Sequence, residues 1–182
     1  MNSTVKILIV LILGFILICP GCRKKEERRY LTREEKEEQE EMLIRINKYL
    51  VKKDAELIAS YVKRRGWNME VTETGLFYEI YDEGSGINTE VGDDVIIEYS
   101  LSLLDGTICY NSDVSGPKEF TLGRNREESG LEQGLLMMRE GGKARFILPP
   151  HLAHGLLGDE KMIPPRSIIV YDVELTDVIQ RN

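Results

Sequence analysis

The chain has 182 residues, 42% hydrophobic and 30% charged, which is the composition of a globular protein with room for one ordinary domain plus an appendage. Its formal charge of -7 is unevenly spread: residues 23 to 65 carry 14 Lys/Arg against 10 Asp/Glu, whereas residues 66 to 182 carry 9 against 21. So acidic a globular part argues against a nucleic-acid partner, because phosphate binding needs clustered cations, and three cysteines make no disulfide framework.

Residues 1 to 21 combine one cation, Lys6, with the apolar run Ile7 to Ile18, too short for a comfortable transmembrane helix and suited to an export signal. The sequence Ile18-Cys19-Pro20-Gly21-Cys22 resembles the lipobox of bacterial lipoproteins, which makes Cys22 the expected lipid anchor and mature N-terminus. It departs from that pattern at Cys19, where an aliphatic residue is usual, and at Pro20. The alternative is an uncleaved N-terminal membrane anchor. Either reading puts the body outside the cytoplasm, in the cell envelope and tethered to a membrane. Residues 22 to 31 are a mixed-charge tether, readable as a solvated spacer, as cations lying on anionic headgroups, or as a sorting signal.

A long charged helix is expected over residues 32 to 66. Thr32-x-x-Glu35 fits a capping box, Glu34, Glu35, Glu37 and Glu38 crowd the positive end of the dipole, Lys63, Arg64 and Arg65 close the other end, and Gly66 suits a C-terminal cap. Leu43, Ile46, Leu50, Leu57 and Tyr61 form an apolar stripe interrupted by Asp54. It would pack on the chain's own domain or pair with a second copy to form a homodimer.

From Gly75 onward the pattern changes to strands. Leu76 to Tyr81 and Val95 to Leu103 are β-rich, Asp105-Gly106 signals a hairpin, and Phe120 to Leu122 is a short strand. Gly130 to Arg139 reads as an amphipathic helix with Leu131, Leu135 and Met138 on one face, stopped by Gly141-Gly142. Arg145 to Leu148 and Ile168 to Val178 complete the strands, the latter with Ile169, Tyr171, Val173 and Leu175 on one face. Together they predict an α+β domain over residues 72 to 180: an antiparallel sheet curved over one amphipathic helix. The loop before the last strand is stiffened at both shoulders by Pro149-Pro150 and Pro164-Pro165 and holds His151, His154, Met162 and Ile163, which suits a binding site. His151 and His154 lack the Cys or carboxylate spacing of a metal site, and no metal or cofactor is expected. Cys109 reads as an inert thiol.

The ordered motifs DG at Asp105, FTLG from Phe120, GLEQGL from Gly130, GGKARFILP from Gly141, LAHG from Leu152, IPP from Ile163 and VYDVEL from Val170 resemble those of the FKBP-type peptidyl-prolyl cis-trans isomerases. With the anchor and the charged helix, the chain is similar to the gliding-motility-associated FKBP-type lipoproteins of Bacteroidetes. The resemblance implies rotation of X-Pro peptide bonds, whose barrier is about 18 to 20 kcal/mol, by a pocket that stabilises the twisted and less polar amide without covalent chemistry. It places the pocket aromatics on Tyr99 and Tyr171 and the floor on Leu131. A backbone donor falls on Glu128, the rim hydroxyl on His154, and the closing aliphatics on Met162 and Ile163. A Phe-Asp dipeptide that orients a substrate carbonyl falls on Cys109-Tyr110, and a further pocket Phe on Lys118. Leu131 and Tyr171 would be apolar as core residues in any case, and His154 could equally be an ordinary loop histidine. The partners implied are proline-containing exported polypeptides, whether turned over or only held.

Overall fold

The structure is a computed structural model, and it describes residues 31–124 and 127–181. The expected signal segment and the anchor Cys22 lie outside the described residues; among those described, no helix is long and apolar enough to cross a membrane.

Helix α1 runs over Arg33–Arg65. Its start is a reciprocal capping box: the Thr32 amide donates to Glu35 Oε2 at 2.9 Å and the Glu35 amide to Thr32 Oγ1 at 3.2 Å. Its end is a Schellman turn. Gly66, at φ +68, donates to the Lys63 carbonyl, and Trp67 donates to that of Val62. The chain divides into two compact units between Glu41 and Met42.

The apolar stripe expected on α1 is buried only at its C-terminal end, at Tyr61. Leu43 is 60% exposed and Leu57 49%, and the buried residues are Asp54, Ile58 and Tyr61. Asp54 looked like a flaw in the stripe, yet it is only 8% exposed because Arg166 neutralises it, Nη2 lying 2.7 Å from Oδ2. Ile58 and Tyr61 pack with Phe77, Ile147, Ile168 and Val170 in a small second core, so this end of the helix packs on the chain's own domain. Trp67 caps this core edge-on to Tyr61, with ring centroids 5.6 Å apart, and the Arg145 guanidinium lies 4.0 Å from the Trp67 centroid.

Seven strands follow: β1 (Glu70–Val71), β2 (Phe77–Asp82), β3 (Asp94–Leu103), β4 (Ile108–Asn111), β5 (Lys118–Thr121), β6 (Lys143–Leu148) and β7 (Ile169–Ile179). They form one antiparallel sheet in the order β1-β2-β6-β7-β3-β4, with β5 also paired to β3. β4 and β5 share one edge of β3: β5 pairs Asp94 to Ile97 and β4 pairs Ser100 to Ser102. The expected α+β architecture is therefore present, with the sheet curved over the helix α3 described below. Period-2 patterning is visible in β7, where Ile169, Tyr171, Val173 and Leu175 are all buried in the main core while Asp172 and Glu174 face outward.

Among the described residues, two short α-helices, α2 (Ser112–Ser115), capped by the Asn111 side chain, and α3 (Ser129–Leu135), and a 3-10 turn over Pro150–Leu152 complete the domain. α3 is shorter than the run Gly130 to Arg139 that its periodicity suggests. After Leu135 the chain tightens into i to i+3 bonds, Met137 to Gly134 and Met138 to Leu135, and the buried Thr89 hydroxyl takes the Leu135 carbonyl at 2.8 Å. Its two glycines are set by packing rather than by flexibility. A Cβ at Gly134 would stand 2.6 Å from the Phe146 ring, and one at Gly130 2.6 Å from Leu148. Alanine normally gains about 1 kcal/mol over glycine inside a helix. Here overpacking of a fully buried ring costs about 1 to 3 kcal/mol, so the sign reverses. Gly134→Ala is expected to lower the urea midpoint, and an unchanged or raised midpoint would show that the helix does not sit this close to β6.

Candidate active site: a tyrosine-walled cavity

The register of the sheet assembles one wall of the site. On β3, Leu101 lies opposite Tyr110 of β4 on one side and Tyr171 of β7 on the other, and Tyr99 and Ile97 share its face; Ile97 in turn lies opposite Lys118 of β5. The Tyr99 and Tyr171 rings are 5.9 Å apart, tilted at 46°. The remaining wall comes from the N-terminus of α3, which delivers Glu128, and from the loop before β7, which delivers His154, Asp159 and Lys161. Together Tyr99, Leu101, Tyr110, Lys118, Glu128, His154, Asp159, Lys161 and Tyr171 enclose about 290 Å³. Its walls are more charged than the apolar pocket expected from the sequence.

Six of the residues named from the sequence thus meet in one cavity: Tyr99, Tyr110, Lys118, Glu128, His154 and Tyr171. Lys118 has its Nζ 5.7 Å from the Tyr99 centroid and paired to Glu127. The others are placed differently. Leu131 is 0% exposed, packed inside the main core, and does not line the cavity. Ile163 is likewise buried in the core, although its amide donates to Asp159 Oδ1 at 2.7 Å. Met162 is 51% exposed on the loop, and its carbonyl lies 3.6 Å from Cys109 Sγ. Burial, with the nearby Asp159 and Asp105 charges, raises the pKa of the Cys109 thiol, so it stays protonated and is a poor nucleophile. His151 is used away from the cavity, its Nε2 lying 2.9 Å from the Thr74 carbonyl oxygen.

Glu128 enters differently from the expectation. As the α3 N-cap residue it accepts the Leu131 and Glu132 amides on its carbonyl, but its side chain turns into the cavity instead of capping the helix. There the Tyr171 hydroxyl donates to Oε2 at 3.2 Å, and His154 Nε2 lies 2.8 Å from Oε1. That contact lacks hydrogen-bond geometry, and His154 Nε2 is buried without a hydrogen-bond partner. Burial, and then the Glu128 charge, push the Tyr171 phenol well above the ordinary range, so it remains a hydrogen-bond donor.

Asp159 escaped the sequence reading. Its carboxylate accepts the Tyr110 hydroxyl on Oδ2 and the Lys161 and Ile163 amides on Oδ1, the last two at 2.9 and 2.7 Å. The only local signal was an Asp followed by amides two and four residues on, a turn pattern. Burial alone would raise its pKa, but the Tyr110 bond, the two amides and the His154 charge outweigh it and hold the carboxyl at about 2. A folded pKa below the unfolded value of about 3.9 stabilises the fold above that value, and the gain is lost as pH falls through 2. Wild type is therefore expected to be more stable than Asp159→Asn at neutral pH, with the difference shrinking between about pH 4 and pH 2. A difference independent of pH in acid titrations followed by circular dichroism would refute an ionised Asp159.

A family model described as FKBP-type peptidyl-prolyl cis-trans isomerase matches residues 86–176, half of the chain. The chain belongs to this FKBP-type family. It is 35% identical over 127 residues to the FKBP-type isomerase FkpA of Escherichia coli strain K12, covering 69% of this chain and 45% of that protein, so it spans about half the length of that relative. FK506-binding protein 2 of Yarrowia lipolytica is 36% identical over 107 residues, covering 58% of this chain and 74% of that one. The crystal structure of Escherichia coli FkpA superposes with a TM-score of 0.59 at 26% identity, over 98% of this chain and 83% of that one. AtFKBP13 superposes with a TM-score of 0.58 at 27% identity, over 60% and 98% respectively. Within this FKBP-type domain the Phe-Asp dipeptide implied by the resemblance is Cys109-Tyr110, and a carboxylate reaches the same wall from the loop, as Asp159.

Proposed function

We propose that this chain is a membrane-anchored peptidyl-prolyl cis-trans isomerase that assists the folding of exported proteins. The observation that carries the reading is the convergence, within an FKBP-type domain, of Tyr99, Tyr110, Tyr171 and Leu101 around a cavity of about 290 Å³, room for a proline ring between aromatic faces. Prolyl rotation needs no nucleophile. It needs a site that binds the twisted amide, whose carbonyl has lost resonance, better than the planar one. Tyrosine faces exclude water from the ring while Glu128, His154 and Tyr110 offer hydrogen-bonding groups to the flanking peptide. Cysteine chemistry has no part in this scheme, since Cys109 stays a thiol. The test is catalysis of cis-to-trans conversion in a short proline peptide by the full chain.

The anchor is the lipid on Cys22, as in the gliding-associated lipoproteins of Bacteroidetes that the N-terminal sequence resembles. Slow proline isomerisation, taking tens of seconds without catalysis, limits folding in the cell envelope as elsewhere. Mass spectrometry of the mature N-terminus should find acylated Cys22, and an intact Met1 would rule the anchor out. A second reading, a module that holds polypeptides without turnover, is favoured by the exposed Met42, Leu43, Ile46, Tyr49 and Leu57 of α1. The same surface would serve a second copy of the chain in a homodimer.

A further inference from the structure

Resting on the isomerase reading of this cavity, we propose that Asp159 is a positioning residue that turns Tyr110 into a hydrogen-bond acceptor. The cavity then recognises a backbone N–H of the proline-containing peptide at that wall, and not a carbonyl. A phenol has one proton to give and lone pairs with which to accept. The Tyr110 proton is directed at Asp159 Oδ2, and the Asp159 carboxylate, ionised and acceptor-only, has none to return. What Tyr110 has left to offer the cavity is acceptor capacity, and the peptide group that satisfies it is a donor.

The surroundings make Asp159 a fixed rather than a passing partner. Gly158, at φ +72, supplies the turn that brings Asp159 round, and a Cβ there would collide with the carbonyls of Ile163 and Pro164. The segment from Asp159 to Ile163 closes on itself: the Asp159 amide donates to the Ile163 carbonyl at 3.2 Å, and the Ile163 amide returns to Asp159 Oδ1. Pro164 and Pro165 stiffen its exit. Oδ1 is thus saturated by the loop's own amides, which leaves Oδ2 aimed at the strand that carries Tyr110. Tyr171 also spends its proton on a carboxylate, Glu128, but the residue is only 1% exposed. Tyr110 is the half-buried one of the pair and the one a peptide can reach.

The test uses the full chain and a series of proline peptides in which each backbone N–H near the proline is replaced, one at a time, by an ester oxygen. Wild type is expected to lose about tenfold in kcat/KM for one ester position, the worth of one hydrogen bond, and Tyr110→Phe to be insensitive to that same replacement. An ester effect of equal size in wild type and Tyr110→Phe overturns the proposal. The Asp159 half is read without any activity measurement, by ultraviolet titration of the tyrosines. The Tyr110 phenol, raised by its bond to Asp159, should fall back towards the ordinary value in Asp159→Asn, with the assignment made by its disappearance in Tyr110→Phe. An unmoved phenol overturns that half. If wild type shows no turnover at all, the isomerase reading fails, and the ester comparison, read as peptide affinity by calorimetry, still decides which group Tyr110 meets.

Discussion

Leu131→Asp is expected to leave the FKBP-type domain without a cooperative folded state at 25 °C, a loss of structure and not merely of activity. Leu131 has no accessible surface and packs within the main core. Removing its side chain costs about 2 to 5 kcal/mol. A carboxyl in its place adds several kcal/mol more, whether as an unpaired charge or as a protonated acid with nothing to bond. The sum rivals the whole stability of an ordinary domain, about 5 to 15 kcal/mol. A floor residue of the cavity would behave differently, since water could reach the new carboxylate and the fold would survive with turnover gone. Far-UV circular dichroism and urea titration separate the two outcomes. A Leu131→Asp variant with a near-native midpoint would return Leu131 to the cavity wall.

The second large effect concerns Asp54 and Arg166, 112 residues apart and joined at 2.7 Å. Arg166 ends the cavity loop, and its amide also donates to the Gly155 carbonyl, so the pair holds helix α1 against the back of the segment that presents Asp159 and His154. Asp54→Leu leaves the guanidinium beside apolar surface without its partner. Breaking a fully buried pair costs about 3 to 5 kcal/mol, and since the Arg166 side chain is 30% exposed, about 1 to 3 kcal/mol is the fitting expectation. The double variant Asp54→Leu with Arg166→Met removes both charges and should recover most of that loss, because charges that are never buried need no compensation. Additive losses in the double variant would mean that the pair is not coupled. The loop should also exchange its amide hydrogens faster in Asp54→Leu than in the double variant.

What could be read from the sequence follows the range over which each signal acts. The capping box at Thr32 and Glu35, the glycine end at Gly66 and the alternation of β7 are written in neighbouring residues, and each is present as expected. Strand β4 has only Ile108 to Asn111, too few residues to show a period, and was visible only as the far side of the Asp105-Gly106 hairpin. The stripe on α1 was right at Tyr61 and wrong at Leu43 and Leu57 for a physical reason. Amphipathic spacing marks a face that could be buried, and the tertiary fold buried Tyr61 with Ile58 and with Asp54, which had a cation waiting. In the cavity, Tyr99, Tyr110 and Tyr171 were named through the family resemblance, and the sheet register brings them together. Asp159 was not named, because its meaning depends on Tyr110, 49 residues away, and on a turn whose outcome no local pattern states.

The central claim is that this cavity rotates X-Pro bonds. The direct measurement is protease-coupled cis-to-trans conversion of a proline tetrapeptide by the full chain in mild detergent, alongside Tyr171→Phe, which keeps the ring and removes the hydroxyl that bonds Glu128. The expected result is a rate that rises linearly with enzyme above the uncatalysed background and drops severalfold in the variant. A wild-type rate indistinguishable from background, with the chain folded and still binding unfolded polypeptide, would contradict the account.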